Sequence, residues 1–156
     1  MDGLQMATLL SLDPYTSKYF KGFAWADTAK LPRKDGRELY ILNTDKQEGP
    51  GEHWCAAFYQ DNIAEFFDPY GNPPAVYGFE KMLRDGMRGK EAQYNANCLQ
   101  GLNSRVCGYH CVFYAFHRCR GFLLEQVVDL YNLSDMRKND KMVERFVLMH
   151  GSGYKI

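Results

Sequence analysis

The spacing of apolar positions changes along the chain between helical and alternating patterns, which predicts a protein with both helices and strands. Near the start, apolar residues at helical spacing predict a helix over residues 4–12. Asp13-Pro14 ends this helix, because the residue before a proline avoids the helical conformation. Residues 19–37 contain several glycine and proline breakers, so we expect this stretch to be irregular.

Three apolar runs predict strands at residues 38–44, 53–59 and 63–68. The second run is apolar almost throughout, as in a central strand covered on both faces. A short polar loop joins the last two runs into a hairpin. In the two registers that we consider for this hairpin, His53 lies opposite Asp68 or Pro69, where directly opposed side chains are roughly 5 Å apart. The hairpin therefore predicts that the imidazole and the carboxylate meet at one end of the sheet.

Later apolar faces at helical spacing predict helices at residues 74–87, 105–120, 122–131 and 135–150. Residues 91–99 are predicted to form an edge strand or an extended segment. Ser104 is placed to cap the second of these helices, with Cys107 in its first turn. The predicted fold class is α+β: a small central mixed or antiparallel sheet packs on the buried helix that carries Cys107, and further helices flank it.

Composition and charge limit the classes of function. A length of 156 residues suits a single domain over residues 1–156, and 46% apolar residues exclude a disordered chain. Nineteen basic and nineteen acidic side chains cancel, which argues against a strongly DNA-attracting surface but leaves a local basic patch open. Residues 1–6 carry no secretion signal, and no apolar run is long enough to span a membrane. We therefore expect an intracellular protein with no membrane partner.

Five cysteines, an odd number in a chain without a secretion signal, predict reduced thiols. A zinc site is the alternative explanation for Cys98, Cys107, His110, Cys111, His117 and Cys119. The sequence contains no Cys-x-x-Cys pair, so we expect no metal. We expect the basic clusters at residues 118–120 and 137–141 to be solvated faces, with nucleic-acid binding as the alternative.

Four residues, in the chain order His53, Asp68, Gln100 and Cys107, supply the groups that thiol-based acyl transfer needs. A thiol needs a neighbouring imidazole to become a thiolate, and the imidazole needs a partner that fixes its tautomer. The developing oxyanion needs hydrogen-bond donors, which Gln100 can supply. The start of a helix at Cys107 favours an anion, and Gly108 would let a substrate backbone approach closely.

The motifs around these residues resemble the adenovirus-type cysteine endopeptidases, the adenain family, which are related to the peptidases that remove SUMO-like modifiers. The resemblance lies in residues 19–23 with Asp27, in residues 41–44, 51–54 and 67–71, and in residues 100–104 followed by Cys107-Gly108 and Cys111. It covers roughly residues 4–130, and its most specific element is the seven-residue spacing from Gln100 to Cys107.

The resemblance implies a role for each matching residue. It makes Cys107 the nucleophile, His53 the general base, Asp68 the partner that orients the imidazole, and Gln100 the oxyanion donor together with the Cys107 amide. Trp54 would form a wall of the substrate site, with a core aromatic as the alternative. Trp54 and Gly108 (which follows the nucleophile) are thus the expected substrate-binding residues.

The resemblance also implies a function: a cysteine endopeptidase of a virus or virus-like mobile element that cleaves capsid or core precursor proteins next to glycine. Such an enzyme acts in the host nucleus or cytoplasm, or inside the virion. A peptidase that acts on SUMO- or ubiquitin-like modifiers is the alternative within the same chemistry. A non-catalytic interaction module that kept the fold is the alternative outside it.

Activation is one point at which the chain departs from the family. Adenoviral enzymes are stimulated by DNA and by a disulfide-linked viral peptide. This chain is neutral, and Cys98, two residues before Gln100, does not match the position that links the peptide. We expect that no cofactor is required and that the main partner is a protein or peptide substrate, with an activating peptide or DNA implied by resemblance alone.

Overall fold

A mixed five-stranded sheet and five α-helices form the part of the chain that a computed structural model describes, residues 1–33, 36–60, 63–85 and 92–151. The helices are α1 (Gly3–Leu12), α2 (Glu80–Asp85), α3 (Cys107–Arg118), α4 (Leu124–Val128) and α5 (Met136–Gly151), with 3-10 turns at Thr16–Lys18 and Pro74–Tyr77. The strands are β1 (Phe20–Ala24), β2 (Glu38–Asn43), β3 (Trp54–Gln60), β4 (Ile63–Phe67) and β5 (Gln93–Tyr94). The predicted α+β class is confirmed.

The strands lie in the order β1-β2-β3-β4-β5. The three central strands pair antiparallel, whereas the edge strands β1 and β5 pair parallel with their neighbours. Strand β1 lies in a stretch that we predicted to be irregular, and that prediction is wrong for Phe20–Ala24. Gly22 has a φ of 130° within a register shift, so this strand lacks the alternation that would have revealed it.

Both faces of the sheet are covered. One face carries Leu39, Ile41, Ala56, Phe58 and Phe67, which belong to the core cluster of α1 and α3. The other face carries Tyr40, Leu42, Ala57, Tyr59 and Phe66, which pack with residues of α2. Strand β3 is therefore buried on both sides, which explains its nearly continuous apolar sequence and confirms the prediction of a central strand.

The β3–β4 hairpin forms as predicted, but its register differs. Gln60 pairs with Ile63, so the connection is shorter by one residue than we expected, and residues 61–62 lie outside the described part. Continued along the strands, this register places Tyr70, rather than Asp68 or Pro69, opposite His53. Since a shift of one residue reverses the side-chain faces, the register decides which group stacks on the imidazole.

The predicted helix over residues 74–87 is two short helices. Gly78, in the left-handed conformation with a φ of 79°, ends the 3-10 turn Pro74–Tyr77, and α2 begins only at Glu80. Val76, within the predicted helix, is 60% exposed. Met87 lies outside the described residues.

Helix α3 is the central helix, as its apolar sequence predicted, and most of its side chains are buried. Ser104 does not cap it. Val106 precedes the first turn without a side-chain cap, and the Ser104 hydroxyl instead donates to the carbonyl of Gly101 at 2.9 Å. Cys107 is therefore the first residue of the helix. Within the described residues, no helix combines the length and the apolar character that crossing a membrane requires.

Candidate active site

His53 precedes β3 directly and is held between a carboxylate and an aromatic ring. Its Nε2 lies 2.6 Å from Oδ1 of Asp68. The Tyr70 ring stacks on the imidazole with centroids 4.7 Å apart and an interplanar angle of 20°. The hairpin thus brings imidazole and carboxylate together as predicted, and the observed register adds the stacking ring. With Nε2 on Asp68, Nδ1 is the ring nitrogen left for another partner.

The carboxylate of Asp68 is fully buried and accepts hydrogen bonds on both oxygens. Besides His53, the Tyr77 hydroxyl donates to it at 2.7 Å, and the backbone N–H groups of Tyr70 and Asn72 each donate at 3.0 Å. Burial would raise the pKa of Asp68, but these hydrogen bonds outweigh burial and hold that pKa below its usual range. Asp68 is therefore a fixed, ionised partner for the imidazole.

Cys107 lies near His53 and near the backbone of the next residue, Trp54. The backbone N–H of Trp54 donates to the Cys107 sulfur at 3.5 Å. Burial would raise the pKa of the thiol, but the neighbouring His53 and the hydrogen bond from the Trp54 amide outweigh it and lower that pKa. Burial would lower the pKa of His53, but its hydrogen bond to Asp68 and the neighbouring Cys107 raise that pKa to about 9. Both shifts favour the charged pair, a thiolate beside an imidazolium.

Gln100 is buried between the carboxylate segment and the start of α3. Its backbone N–H donates to the carbonyl of Pro69 at 3.1 Å, next to Asp68. Its side-chain Nε2 donates to the carbonyl and the hydroxyl of Ser104, each at 3.1 Å, three residues before Cys107. Reversing the amide would set two carbonyl oxygens against each other, which fixes the orientation of the donor. Both acceptors belong to one residue, so a single N–H shared between them would leave the second N–H for another acceptor.

The two expected substrate-binding residues have close neighbours in the chain itself. A side chain on Gly108 would meet Met1 and Met6 at 3.4 Å, so the space beside Gly108 accommodates the start of α1. The Trp54 ring lies 3.6 Å from the Cβ position of Gly3 and packs on Phe23 with centroids 5.7 Å apart. Contact of Trp54 or Gly108 with a substrate stays a prediction.

Several residues at the site escaped the sequence analysis. They are the stacking ring of Tyr70, the carboxylate donors Tyr77 and Asn72, and the Trp54 backbone amide that faces the thiol. Tyr70 follows from the hairpin register and could have been found from the correct loop length. No sequence signal pointed to Tyr77, because its hydroxyl reaches Asp68 from a separate 3-10 turn.

The same cluster contains the only group of potential metal ligands found among the described residues: His53, Cys55 and Asp68, whose ligand atoms lie within 4.8 Å of one another. Burial raises the pKa of the Cys55 thiol well above its usual range, so this sulfur stays protonated. The oxygens of Asp68 are already engaged by hydrogen-bond donors. The donor set therefore suits an imidazole–carboxylate pair better than a zinc ion, which binds thiolates.

Among the comparisons with known proteins, the one with solved structures finds similarity. No family model and no curated protein matches the chain. Among solved structures, the chain is similar to the crystal structure of the selenomethionine ASFV pS273R protease, with 20% sequence identity and a TM-score of 0.47. The match covers 71% of this chain and 44% of that protease, so the chain spans less than half its length. At this identity and TM-score the similarity carries no argument about activity, which must rest on the site itself.

Proposed function

We propose that the chain is a cysteine endopeptidase that uses Cys107 as its nucleophile, His53 as its general base and Asp68 as the partner of His53. The observations that support this most directly are the 2.6 Å contact between the buried Asp68 carboxylate and His53 Nε2, and the pKa shifts of His53 and Cys107, each of which favours the charged form. A lowered thiol pKa and a raised imidazole pKa are what nucleophilic catalysis by cysteine requires.

In the proposed first step, the Cys107 thiolate attacks the scissile carbonyl carbon and a C–S bond forms. The electron pair of the carbonyl moves to oxygen. The His53 imidazolium then donates its proton to the leaving nitrogen, the C–N bond breaks, and a thioester remains on Cys107. Asp68 keeps the imidazole in the orientation that serves both transfers.

In the second step, His53 takes a proton from a water molecule, whose oxygen attacks the thioester carbon. The C–S bond then breaks, the acid product leaves, and the Cys107 thiolate is restored beside the His53 imidazolium. Both steps pass through an oxyanion. We propose that the Cys107 backbone N–H and the second N–H of Gln100 Nε2 stabilise it. The burial of Gln100 and its anchorage to Ser104 support this role, because a fixed donor needs no reorganisation during the reaction.

The proposed substrates are capsid or core precursor proteins of a virus or virus-like mobile element, cut next to glycine. This part of the proposal is supported by the resemblance of the motifs at residues 51–54, 67–71 and 100–108 to the adenovirus-type endopeptidases. The site needs no metal for the steps above, and we propose that no cofactor is required. An activating peptide or DNA remains a proposal from the resemblance alone.

The direct experiment has two parts. Fluorogenic peptides with Gly-Gly on the acyl side of the cleaved bond are incubated with the wild-type protein, and iodoacetamide labelling at pH 6 is mapped by mass spectrometry. We expect cleavage, and we expect labelling at Cys107. Cys107→Ala should lower cleavage about 1,000-fold or more, whereas Cys119→Ala, at the far end of α3, should retain it.

The outcomes separate the alternatives. Cleavage that survives in Cys107→Ala contradicts the assignment of the nucleophile. An unreactive Cys107 together with no cleavage supports a non-catalytic interaction module. Rapid labelling of Cys107 by a vinyl sulfone at the C-terminus of a SUMO- or ubiquitin-like protein, without cleavage of the peptides, favours the deconjugating peptidase.

A further inference from the structure

Two neighbouring side chains of α5 contact the segment that carries Gln100. The Asp140 carboxylate accepts from the backbone N–H of Gly101 at 3.3 Å, across 39 residues of sequence. Asn139 Nδ2 donates to the carbonyl of Leu99 at 3.0 Å. The backbone on both sides of Gln100 is therefore bonded to one helix, although none of the predicted site residues lies on that helix.

Asp140 also contacts the helix of the nucleophile. Its Oδ1 lies 2.8 Å from Nε2 of His110, which is fully buried on α3 three residues after Cys107. The other ring nitrogen of His110 lies 3.2 Å from the Tyr131 hydroxyl. One carboxylate thus joins the segment of Gln100 to α3, and both nitrogens of the buried imidazole have partners.

The fit between Asp140 and this segment leaves no spare room. A Cβ atom at Gly101 would lie 2.9 Å from Oδ2 of Asp140, so a glycine is needed for the approach. Gly101, whose N–H donates to Asp140, also accepts from the Ser104 hydroxyl at 2.9 Å, and the carbonyl and hydroxyl of Ser104 hold the Gln100 amide. The contact therefore passes from Asp140 to the side chain of Gln100 through Gly101 and Ser104.

Asn139 fixes the α5 side of this contact. It is 1% exposed, and its Nδ2 also donates to the carbonyl of Asn132 at 2.7 Å, while its Oδ1 accepts from the Asn132 N–H at 2.8 Å. These bonds fix α5 against the loop that precedes it. The buried amide of Asn139 therefore also fixes the position of its neighbour Asp140.

We propose that Asp140 and Asn139 are positioning residues that hold Gln100 in register with Cys107 for oxyanion stabilisation, an inference that rests on the proposed peptidase function. The two residues contact neither the Cys107 thiol nor the His53–Asp68 pair. Their loss should therefore slow acyl transfer while leaving the reactivity of the thiol unchanged.

The experiment compares Gln100→Ala, Asp140→Ala, Asn139→Ala and the double variant Gln100→Ala/Asp140→Ala in the full chain. Gln100→Ala should lower kcat about 100-fold or more. We expect Asp140→Ala and Asn139→Ala each to lower kcat about 10-fold, with little change in KM, because a small displacement of a donor is costly. The double variant should be no slower than Gln100→Ala, since both changes remove the same function.

Two controls separate positioning from folding. Asp129→Asn, an exposed acid at the end of α4, should match the wild type. Asp140→Asn keeps the shape and one acceptor oxygen, and should recover most of the activity lost in Asp140→Ala. The rate of Cys107 alkylation at pH 6 should stay within about twofold of wild type in all these variants, since the thiolate–imidazolium pair is intact.

Failure of the inference differs from failure of the proposed function. If the wild type cleaves and Asp140→Ala and Gln100→Ala multiply their effects, or if alkylation falls with kcat, Asp140 does not act through Gln100. If the wild type does not cleave, the peptidase proposal fails. The placement itself is still tested by NMR, where Asp140→Ala should shift the Gln100 side-chain amide signal and Asp129→Asn should not.

Discussion

Asn95 is hydrogen-bonded to both backbone polar groups of Asp68. The Asp68 N–H donates to Oδ1 of Asn95 at 3.0 Å, and Nδ2 of Asn95 donates to the Asp68 carbonyl at 2.7 Å. The side chain of Asn95, which follows the short edge strand β5, thus replaces a neighbouring strand at the point where β4 ends. It fixes the backbone from which the Asp68 carboxylate extends toward His53.

The Tyr77 hydroxyl fixes the far oxygen of the same carboxylate, and its removal is the first prediction. Tyr77→Phe deletes the 2.7 Å hydrogen bond to Asp68, which lets the carboxylate turn and raises its pKa. Hydrogen bonds to charged groups contribute roughly 1.5–3 kcal/mol. We therefore expect kcat/KM to fall about 10-fold, as measured with the fluorogenic peptides. Tyr94→Phe, at an exposed position of β5, is the matched control, and an equal effect in both variants would contradict the role of Tyr77.

The pH dependence of the thiol gives the second prediction. The pKa of Cys107 is lowered and that of His53 is raised to about 9, so the ion pair exists between these two values. Cleavage should rise as pH passes the pKa of Cys107 and fall above about pH 9, where the imidazole has no proton for the leaving nitrogen.

Alkylation of Cys107 separates the contribution of the thiol to this pH profile from that of the His53 imidazole. In His53→Ala the pKa of the thiol should move up toward the ordinary value near 8.5, and alkylation at pH 6 should slow about 10-fold or more. In Asp68→Asn, the pKa of the thiol should move in the same direction by a smaller amount. Unchanged alkylation of His53→Ala at pH 6 would show that the helix start alone ionises Cys107.

The site could be predicted from the sequence because its parts lie in segments with strong local signals. His53 and Asp68 lie at the open end of one hairpin, and hairpin pairing follows from apolar runs and loop length. Cys107 begins a helix whose apolar sequence requires a central place. Local rules therefore indicated which residues meet, even though the register was wrong by a residue.

What the sequence did not reveal depends on contacts between distant segments. Asp140 lies on α5 and reaches Gly101 only because α5 packs against α3, which no periodicity specifies. Strand β1 pairs parallel with β2 through backbone groups, and Gly22 interrupts its pattern. The predicted cap at Ser104 failed because its hydroxyl serves the Gln100 segment instead of the helix.

Asp13 gives a third prediction, on stability in acid. Its carboxylate is 2% exposed, contacts the Arg120 guanidinium at 2.5 Å, and accepts from the Thr16 N–H at 2.9 Å. Burial would raise the pKa of Asp13, but the bonds to Arg120 and Thr16 lower it. A lowered folded-state pKa stabilises the protein above the unfolded value near 3.9, and this contribution is lost as pH falls through the folded-state pKa.

Asp13→Asn should therefore lower the free energy of unfolding at pH 7 by about 1–3 kcal/mol. The difference from wild type should shrink as the pH falls below about 4, where Asp13 of the unfolded chain becomes protonated, and it should vanish below the lowered folded-state pKa. Urea unfolding followed by circular dichroism at pH 7 and pH 3 measures this difference, with Asp129→Asn as the control. A difference that is equal at pH 7 and pH 3 would show that shape, not charge, matters at Asp13.

The last prediction concerns a buried ion pair on the side of the sheet that faces α3. Arg118 Nε donates to Glu65 at 3.0 Å, with both side chains at most 4% exposed, and the Tyr114 hydroxyl also donates to Glu65. The guanidinium lies 4.4 Å from the centroid of the Phe58 ring. These contacts make Glu65 a buried charge whose counterion comes from α3, the helix that begins at Cys107.

Arg118→Met should lower the free energy of unfolding by about 3–5 kcal/mol, because it leaves the Glu65 charge buried without a cation. The double variant Arg118→Met/Glu65→Gln should recover a large part of that loss, since it removes the uncompensated charge along with its partner. Urea unfolding of both variants measures this. A double variant that is less stable than Arg118→Met would mean that the pair itself, rather than the orphaned carboxylate, accounts for the cost. Because α3 also carries Cys107, alkylation of Cys107 at pH 6 should fall in Arg118→Met. It should return, together with the stability, in the double variant.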